Sequence, residues 1–181
     1  MRKTASRVVY ANRWMTVRED EIERADGSSR IYGVVEKPDF ALVVPFDGDA
    51  VYLVEQYRYQ VGARFREFPQ GSWEDDPGAE PLVLARGELE EETGLRAASM
   101  EHLGHLYEAY GFSTQGFDVY LATDLEQGVP APTIEEGDMR VERVTLRTFE
   151  QLVRQGQIKD APTLAAYSLL QLHLREVHWR V

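Results

Sequence analysis

Residues 67–95 read EFPQGSWEDDPGAEPLVLARGELEEETGL, and the second half of this stretch predicts a short α-helix. Pro81 suits the first helical turn, because its missing N–H would have no helical partner there. Gly94 suits the position just after the helix, where a residue in the left-handed conformation closes the last turn. The sequence therefore predicts a helix that begins near Pro81 and ends before Gly94, with Leu82, Ala85 and Leu89 facing a core.

Three carboxylates lie on one face of this predicted helix. Glu88, Glu91 and Glu92 are spaced i, i+3 and i+4, and residues at this spacing are neighbours on a helix surface. Like charges placed this way repel each other, and acidic residues near the end of a helix also oppose its dipole. Clustered carboxylate oxygens suit a hard cation such as Mg²⁺ or Mn²⁺, which keeps some of its water and bridges to phosphate. A solvated acidic face is the alternative interpretation of the same pattern.

Together with its flanking residues, the helix resembles the signature segment of the Nudix hydrolases. The pattern of that family is Gly, five spacers, Glu, seven spacers, and then Arg-Glu-apolar-any-Glu-Glu-any-Gly-apolar. Residues 88–95, ELEEETGL, match the second half of the pattern without a gap, and Gly71 matches its opening glycine. The resemblance implies that Glu88, Glu92 and Glu91 hold two or three Mg²⁺ ions, with Mn²⁺ as an alternative. It also implies that the backbone carbonyl of Gln70 is a metal ligand.

Two departures from the family pattern concern the loop and the arginine. The segment from Gly71 to Gly94 is two residues longer than the pattern, and Ala79 stands where the first Glu is expected, with Glu80 one position later. Gly87 takes the place of the arginine just before Glu88, with Arg86 one position earlier. In the family this arginine helps to orient the catalytic carboxylates, so its replacement bears on the rate and on the identity of the base.

Two further stretches resemble the ADP-ribose pyrophosphatase branch of the family. Residues 55–58, EQYR, resemble a stretch of the branch in which an arginine, here Arg58, contacts the diphosphate of the substrate. A guanidinium binds phosphate as a bidentate fork. A surface salt bridge is the other interpretation of Arg58. Before a strand predicted at 139–146, the branch has a loop that delivers a catalytic Glu. Glu135 matches this position best, with Glu136 in reserve and Glu91 as the other candidate base, although an acidic surface turn would give the same pattern.

The reaction implied by the resemblance is Mg²⁺-dependent hydrolysis of a pyrophosphate bond. ADP-ribose or another nucleoside diphosphate sugar is the expected substrate, with a nucleoside monophosphate and a sugar phosphate as products. Two alternatives stay open. Residues 69–71, PQG, replace the usual Pro-Ala-Gly of the branch and resemble members that act on dinucleoside polyphosphates or capped RNA. The acidity of the chain disfavours long RNA but not small polyphosphates. Gly87 in place of arginine also fits a module that binds nucleotide sugars without cleaving them.

Composition narrows the class of protein. The chain has 181 residues, which fits one domain, or one domain with an N-terminal annex. Its net charge of −11 disfavours non-specific binding to nucleic acid or to an anionic membrane. The absence of cysteine excludes disulfides, thiolate metal sites and cysteine nucleophiles. The first residues contain no apolar run long enough for a signal peptide or a membrane span. A cytoplasmic location is therefore expected, and the four histidines are expected to be structural or exposed.

The expected fold is α/β, a Nudix-type α/β/α sandwich with a mixed sheet in residues 39–181, preceded by an antiparallel β annex in residues 1–38. Asp26-Gly27 predicts a turn between two strands of this annex. Because so small a sheet is marginal alone, it either extends the main sheet or, as the resemblance suggests, pairs two copies of the chain as a homodimer. Further strands are predicted at 40–46, 51–59, 64–68, 99–110 and 116–122, and further helices at 149–154 and 161–177, the last capped by Asp160.

Overall fold

The structure, a computed structural model, describes residues 1–73, 76, 78–128 and 138–179. Its elements in chain order are β1 (Arg2–Ala11), β2 (Thr16–Glu23), β3 (Ser29–Glu36), β4 (Phe40–Asp47), β5 (Ala50–Arg58), a 3₁₀ turn (Tyr59–Val61), β6 (Ala63–Glu67), β7 (Gln70–Gly71), α1 (Pro81–Thr93), β8 (Leu95–Tyr107), β9 (Gly116–Gln127), β10 (Arg140–Thr145), α2 (Leu146–Arg154) and α3 (Ala161–Trp179). None of the helices within the described ranges is long and apolar enough to cross a bilayer.

The N-terminal annex is a sheet of its own. Strands β1, β2 and β3 pair antiparallel in that order, and the predicted turn at Asp26 is closed by a 3.0 Å bond that its side chain accepts from the Ser28 backbone N–H. The annex meets the rest of the chain at Val35, whose N–H donates to the Phe112 carbonyl and whose carbonyl accepts from the Thr114 N–H. The annex is therefore separate from the main sheet in the described part of the chain.

The main sheet is mixed and has β4 at its centre. The strand order is β10-β5-β4-β9-β8, with β4 parallel to β9 and the other neighbours antiparallel, while β6 pairs with β5 and β7 with β4. One edge of β4 is shared between two partners. Its first residues, Ala41 and Leu42, pair with β7, and its last, Phe46 and Asp47, pair with β5. This division brings the short strand β7, which carries Gln70, into the sheet beside α1.

Helices cover both faces of this sheet. Side chains alternate between the two faces of a strand, so Leu42 and Val44 pack toward α2 and α3 while Ala41 and Val43 pack toward α1. The predicted α/β/α sandwich is confirmed. The core on the α2 and α3 side is built from residues that share complete or nearly complete burial: Leu42, Val44, Val51, Leu53, Phe68, Phe117, Val119, Leu121, Val144, Phe149, Ile158, Ala166 and Leu170.

The packed face of α1 differs from the prediction at one residue. Leu84, Ala85 and Leu89 of α1 are buried in the apolar cluster between the helix and the sheet. Leu82 is 40% exposed. At about 100° per residue, Leu82 lies roughly 90° from the centre of the buried face and belongs to the first turn. The prediction that Leu82 faces the core was wrong.

The bounds of several elements also differ from the predicted ones. Strand β8 begins at Leu95, directly after the glycine that closes α1, and β9 continues to Gln127. Helix α2 begins at Leu146, because the Thr145 side chain accepts a 3.1 Å bond from the Thr148 N–H and so caps the helix three residues before the predicted start.

Candidate active site

Two of the three predicted carboxylates are buried on α1. Glu88 is 5% exposed and Glu92 is 4% exposed, whereas Glu91 is partly exposed. The helix ends immediately after them, since Gly94 has φ 71° and its N–H donates to the Glu90 carbonyl. The fold therefore places two carboxylates one turn apart beneath the surface.

Strand β7 lies directly against these two glutamates. The Gln70 N–H donates a 3.1 Å bond to Oε2 of Glu92. A Cβ atom added to Gly71 would lie 2.5 Å from Oε2 of Glu88, so a side chain at this position would require the Glu88 carboxylate to move. The strand is thus held beside Glu88 and Glu92, and the backbone N–H of Gln70 contacts Glu92.

The donor set fits a hard divalent cation. The candidate ligands are all oxygen atoms: the carboxylates of Glu88, Glu91 and Glu92 and the backbone carbonyl of Gln70. Among the described residues, no three histidine, aspartate or glutamate side chains lie close enough together to hold a metal ion by themselves. An incomplete set of protein oxygens is the usual case for Mg²⁺, which keeps several waters and takes further oxygens from substrate phosphates.

Arg58 is held by a buried partner that sequence reasoning did not identify. Its Nε donates to Oε2 of Glu67 over 3.2 Å, its Nη2 pairs with Oε1, and Gln56 Nε2 donates to the same Oε1 over 2.7 Å. Burial raises the pKa of Glu67, and the attraction of Arg58 counteracts part of that rise. Burial acts to lower the pKa of Arg58, but attraction by Glu67, and more weakly by Glu92 and Asp160, outweighs it and raises that pKa.

Asp160 caps helix α3 and also accepts a hydrogen bond from Gln70. Its Oδ2 accepts a 2.8 Å bond from the Thr163 N–H, which confirms the predicted cap of α3, and a 3.0 Å bond from Nε2 of Gln70. The hydroxyl of buried Thr163 accepts a 2.9 Å bond from the Phe68 N–H. The segment that leads into β7 is therefore fastened to the first turn of α3. The sequence signalled only the cap, because nothing local indicates a contact between residues 90 positions apart.

A cavity of about 60 Å³ lies beside the first turn of α1. Its lining does not include the three glutamates of the predicted metal site and consists of Asp39, Phe40, Trp73, Asp76, Ala79, Pro81, Leu84 and Asp118. Asp118 is held by two of the histidines, with Nε2 of His102 2.7 Å from Oδ1 and Nδ1 of His105 3.4 Å from Oδ2.

Two of the candidate bases, Glu135 and Glu136, lie outside the described residues. Their assignment as catalytic residues stays a prediction that rests on the sequence. Glu91, the third candidate, is in the described part of α1 and adjoins the buried Glu92.

Two family models match consecutive parts of the chain. Residues 1–35 match a model described as the nucleoside diphosphate sugar hydrolase N-terminal domain. Residues 36–167 match the NUDIX domain.

Curated relatives match almost the whole chain. An ADP-ribose pyrophosphatase of Mycobacterium tuberculosis is 32% identical over 163 residues, covering 89% of this chain and 78% of the relative. An ADP-ribose pyrophosphatase of Bacillus subtilis is 28% identical over 174 residues, 95% of this chain and 92% of the relative. A methanol dehydrogenase activator of Bacillus methanolicus is 28% identical over 166 residues, 91% of this chain and 89% of the relative.

The fold also matches a solved structure. A crystal structure of an ADP compounds hydrolase superposes with a TM-score of 0.84 and 22% identity, covering 97% of this chain and 94% of that one. This similarity shows the fold of the chain.

Proposed function

The chain belongs to the Nudix hydrolases, which makes it a pyrophosphohydrolase, and we propose that it hydrolyses ADP-ribose or another nucleoside diphosphate sugar. The products would be a nucleoside monophosphate and a sugar phosphate. The observation that carries this proposal is the pair of buried carboxylates, Glu88 and Glu92, against which the backbone of β7 lies. The names of the relatives from M. tuberculosis and B. subtilis support the choice of ADP-ribose as the first substrate to test.

The proposed cofactor is Mg²⁺, with Mn²⁺ as a substitute. Glu88, Glu92 and Glu91, with the backbone carbonyl of Gln70, would hold it. When bound, such a cation neutralises diphosphate charge and makes water more acidic. Because several of its ligands would be water and phosphate oxygens, the affinity for the cation should rise when the substrate is present.

The protein groups have separate roles in the proposal. Glu135, Glu136 or Glu91 takes the proton from the attacking water. Arg58 holds phosphate charge as it shifts in the transition state. Since Nε and Nη2 of Arg58 already donate to Glu67, the proposal assigns Nη1 to a phosphate oxygen. The side chain of Arg58 is 40% exposed, so a phosphate can reach it.

We also propose that residues 1–38 form a dimerisation annex and residues 39–181 the hydrolase domain. The support is the exposed state of every residue in β1, which leaves both faces of that strand uncovered in a single copy. The net charge of −11 supports a small anionic substrate bound through metal over a nucleic acid or membrane partner. A cytoplasmic setting is part of the same proposal, because a chain without cysteine needs no oxidising compartment to fold.

The proposal is tested with a substrate panel. ADP-ribose, other nucleotide sugars and dinucleoside polyphosphates are incubated separately with the protein and Mg²⁺, and phosphate is measured after the products are treated with phosphatase. We expect turnover of ADP-ribose or a nucleotide sugar and its loss when EDTA removes the cation. Preferred turnover of dinucleoside polyphosphates would replace the substrate assignment. Binding of nucleotide sugars in a calorimeter without any product would instead show a non-catalytic module.

A further inference from the structure

Helix α1 contains a glycine in its interior, at position 87. Glycine destabilises the middle of a helix relative to alanine, because it loses more conformational freedom on folding. The family pattern has an arginine at this position, just before Glu88. A glycine here therefore requires a local reason, and the packing around it provides one.

The indole ring of Trp73 fills the space that a side chain at position 87 would occupy. A Cβ atom added to Gly87 would overlap Cζ2 of Trp73 and lie 3.0 Å from Cη2 and 3.2 Å from Cε2. These are ring atoms of a side chain that also packs against the apolar cluster beneath α1, which includes Leu84 and Leu89. The ring thus lies directly on the helix backbone, and any residue larger than glycine would displace it.

The same short segment touches α1 at three positions. The Gln70 N–H donates to Glu92, Gly71 lies against Glu88, and Trp73 lies on Gly87. Residues 70–73 therefore run along the helix past both buried carboxylates, and the Trp73 ring is the apolar contact at the end of that run. The side chain of Arg86 does not join residues 70–73 to the helix. Its Nη1 donates a 2.8 Å bond to the carbonyl of Ala97 on β8.

We propose that Trp73 is a positioning residue for the cation site. Its ring, lying on Gly87, holds residues 70–73 against α1 and so keeps the backbone of Gln70 in register with Glu88 and Glu92. The cation-binding part of this inference rests on the proposed function. The contact itself accounts for glycine at position 87, where the family pattern has an arginine, because the indole ring occupies the space of a Cβ atom there.

A double-mutant cycle tests the contact by thermal unfolding. Gly87→Ala should lower the melting temperature of the native protein, because the new methyl group meets the Trp73 ring. In a Trp73→Ala background, Gly87→Ala should raise it, because alanine favours the helix and no ring is present. Gly111→Ala is the matched control, since a Cβ there meets open space, and it should act equally in both backgrounds. If Gly87→Ala has the same effect with and without the ring, the contact is overturned.

Cation affinity tests the positioning role without relying on activity. The concentration of free Mn²⁺ is measured from its electron paramagnetic resonance signal during titration of four proteins: native, Gly87→Ala, Gly111→Ala and Trp73→Leu. Trp73→Leu is used because it keeps an apolar side chain and so serves if Trp73→Ala does not fold. We expect Gly87→Ala and Trp73→Leu to bind Mn²⁺ about 10-fold more weakly, the usual effect of losing an outer support of a metal ligand. Activity lost at low Mn²⁺ should return at saturating Mn²⁺.

The two proposals fail in different ways. If native protein binds Mn²⁺ and hydrolyses a nucleotide sugar while Gly87→Ala and Trp73→Leu bind Mn²⁺ as tightly as native protein, the positioning role is wrong and the proposed function stands. If native protein neither binds Mn²⁺ nor cleaves any substrate of the panel, the proposed function is wrong, and the role of Trp73 at a cation site falls with it. The melting cycle would still report the Trp73–Gly87 contact.

Discussion

Glu90 and Glu92 are two residues apart on α1 but differ in burial and in hydrogen-bond partner. Glu92 is 4% exposed and accepts the Gln70 N–H, while Glu90 points outward and accepts a 2.8 Å bond from Nε of Arg96. The pair therefore offers a substitution within the proposed site and a chemically identical one outside it. Both changes remove one negative charge from the same helix, so their difference isolates the effect of position.

Glu92→Gln should lower kcat by at least ~100-fold, the size expected when a group that stabilises transition-state charge is removed. Glutamine keeps the volume of the side chain but loses the charge that attracts a cation. Steady-state kinetics on ADP-ribose with saturating Mg²⁺ measures the effect. Glu90→Gln is the control and should leave kcat within about twofold. Near-normal turnover by Glu92→Gln would remove the main support for the proposed site.

Arg58→Ala should destabilise the protein, because it leaves the Glu67 carboxylate buried without its cationic partner. The expected loss in the free energy of unfolding at pH 7.5 is about 3 kcal/mol, the lower end of the range for a broken buried pair. Burial already raises the pKa of Glu67 above its ordinary 4.5, and loss of Arg58 should raise it further. The destabilisation is therefore complete at a pH above the pKa of Glu67 in the variant, where the unpaired carboxylate is charged. It decreases as the pH falls toward 4.5, because Glu67 takes up a proton and the buried charge is lost.

Urea unfolding of native and Arg58→Ala protein at pH 7.5 and pH 5 checks this prediction. The double variant Arg58→Ala/Glu67→Gln is the control, since its stability relative to Glu67→Gln should not change over that interval. An Arg58→Ala penalty that stays constant with pH would show that packing rather than charge holds this pair.

In the described part of the chain, two helices begin with a side-chain cap, and one of these two caps also contacts the proposed site. Thr145 caps α2 through the Thr148 N–H. Asp160 caps α3 through the Thr163 N–H and also accepts from Nε2 of Gln70. The sequence predicted Asp160 as a cap, but its second contact joins α3 to β7. The start of α3 is therefore a support for the backbone carbonyl proposed as a metal ligand.

Asp160→Ala should lower both stability and cation affinity, whereas Thr145→Ala should lower stability alone. Loss of either cap is expected to cost about 1 kcal/mol of the free energy of unfolding. Loss of the bond to Gln70 should in addition weaken Mn²⁺ binding by about 10-fold. Chemical denaturation and Mn²⁺ titration of both variants separate the two effects. Equal Mn²⁺ affinity in the two variants would mean that the Gln70–Asp160 bond does not position the site.

On the scale of the whole molecule, the annex exposes apolar side chains on both of its faces. Val8 is 62% exposed and Ile31 is 67% exposed. The register pairs Val8 with Arg18 and Ile31 with Glu21, and positions three apart on a strand point to opposite sides. A three-stranded sheet that leaves apolar side chains exposed on both faces is marginal in water, which is the physical reason for proposing that a second copy covers it.

Light scattering after size exclusion should show a dimer for the native chain and a monomer for Val8→Lys, Ile31→Lys or both. The variant that dissociates identifies the face that pairs, because a buried lysine in an apolar interface is strongly unfavourable. Leu172→Lys is the control, since Leu172 is a comparably exposed apolar residue on α3. A native chain that elutes as a monomer would contradict the dimer proposal.

Much of the fold could be predicted from local sequence. Pro81 and Gly94 bound α1 and Asp160 caps α3. A continuous apolar run marks β4 and alternating apolar residues mark β5. Each of these features depends on neighbours within one turn or along one strand. The acidic pattern of α1 likewise required only the 3.6-residue period of a helix. Leu82 shows the limit of such reasoning, since periodicity placed it near the packed face and the sheet beneath α1 leaves it exposed.

The sequence by itself determined the α/β class, the acidic helix and the residues that resemble a Nudix hydrolase. Only the tertiary structure decided that β7 lies beside Glu88 and Glu92, that Arg58 pairs with Glu67, and that Trp73 lies on Gly87. The reason is physical. Helix ends and strand periods follow from short-range sterics and hydrogen bonds, whereas contacts between distant residues depend on how the sheet and its helices pack, and that packing is a property of the whole chain.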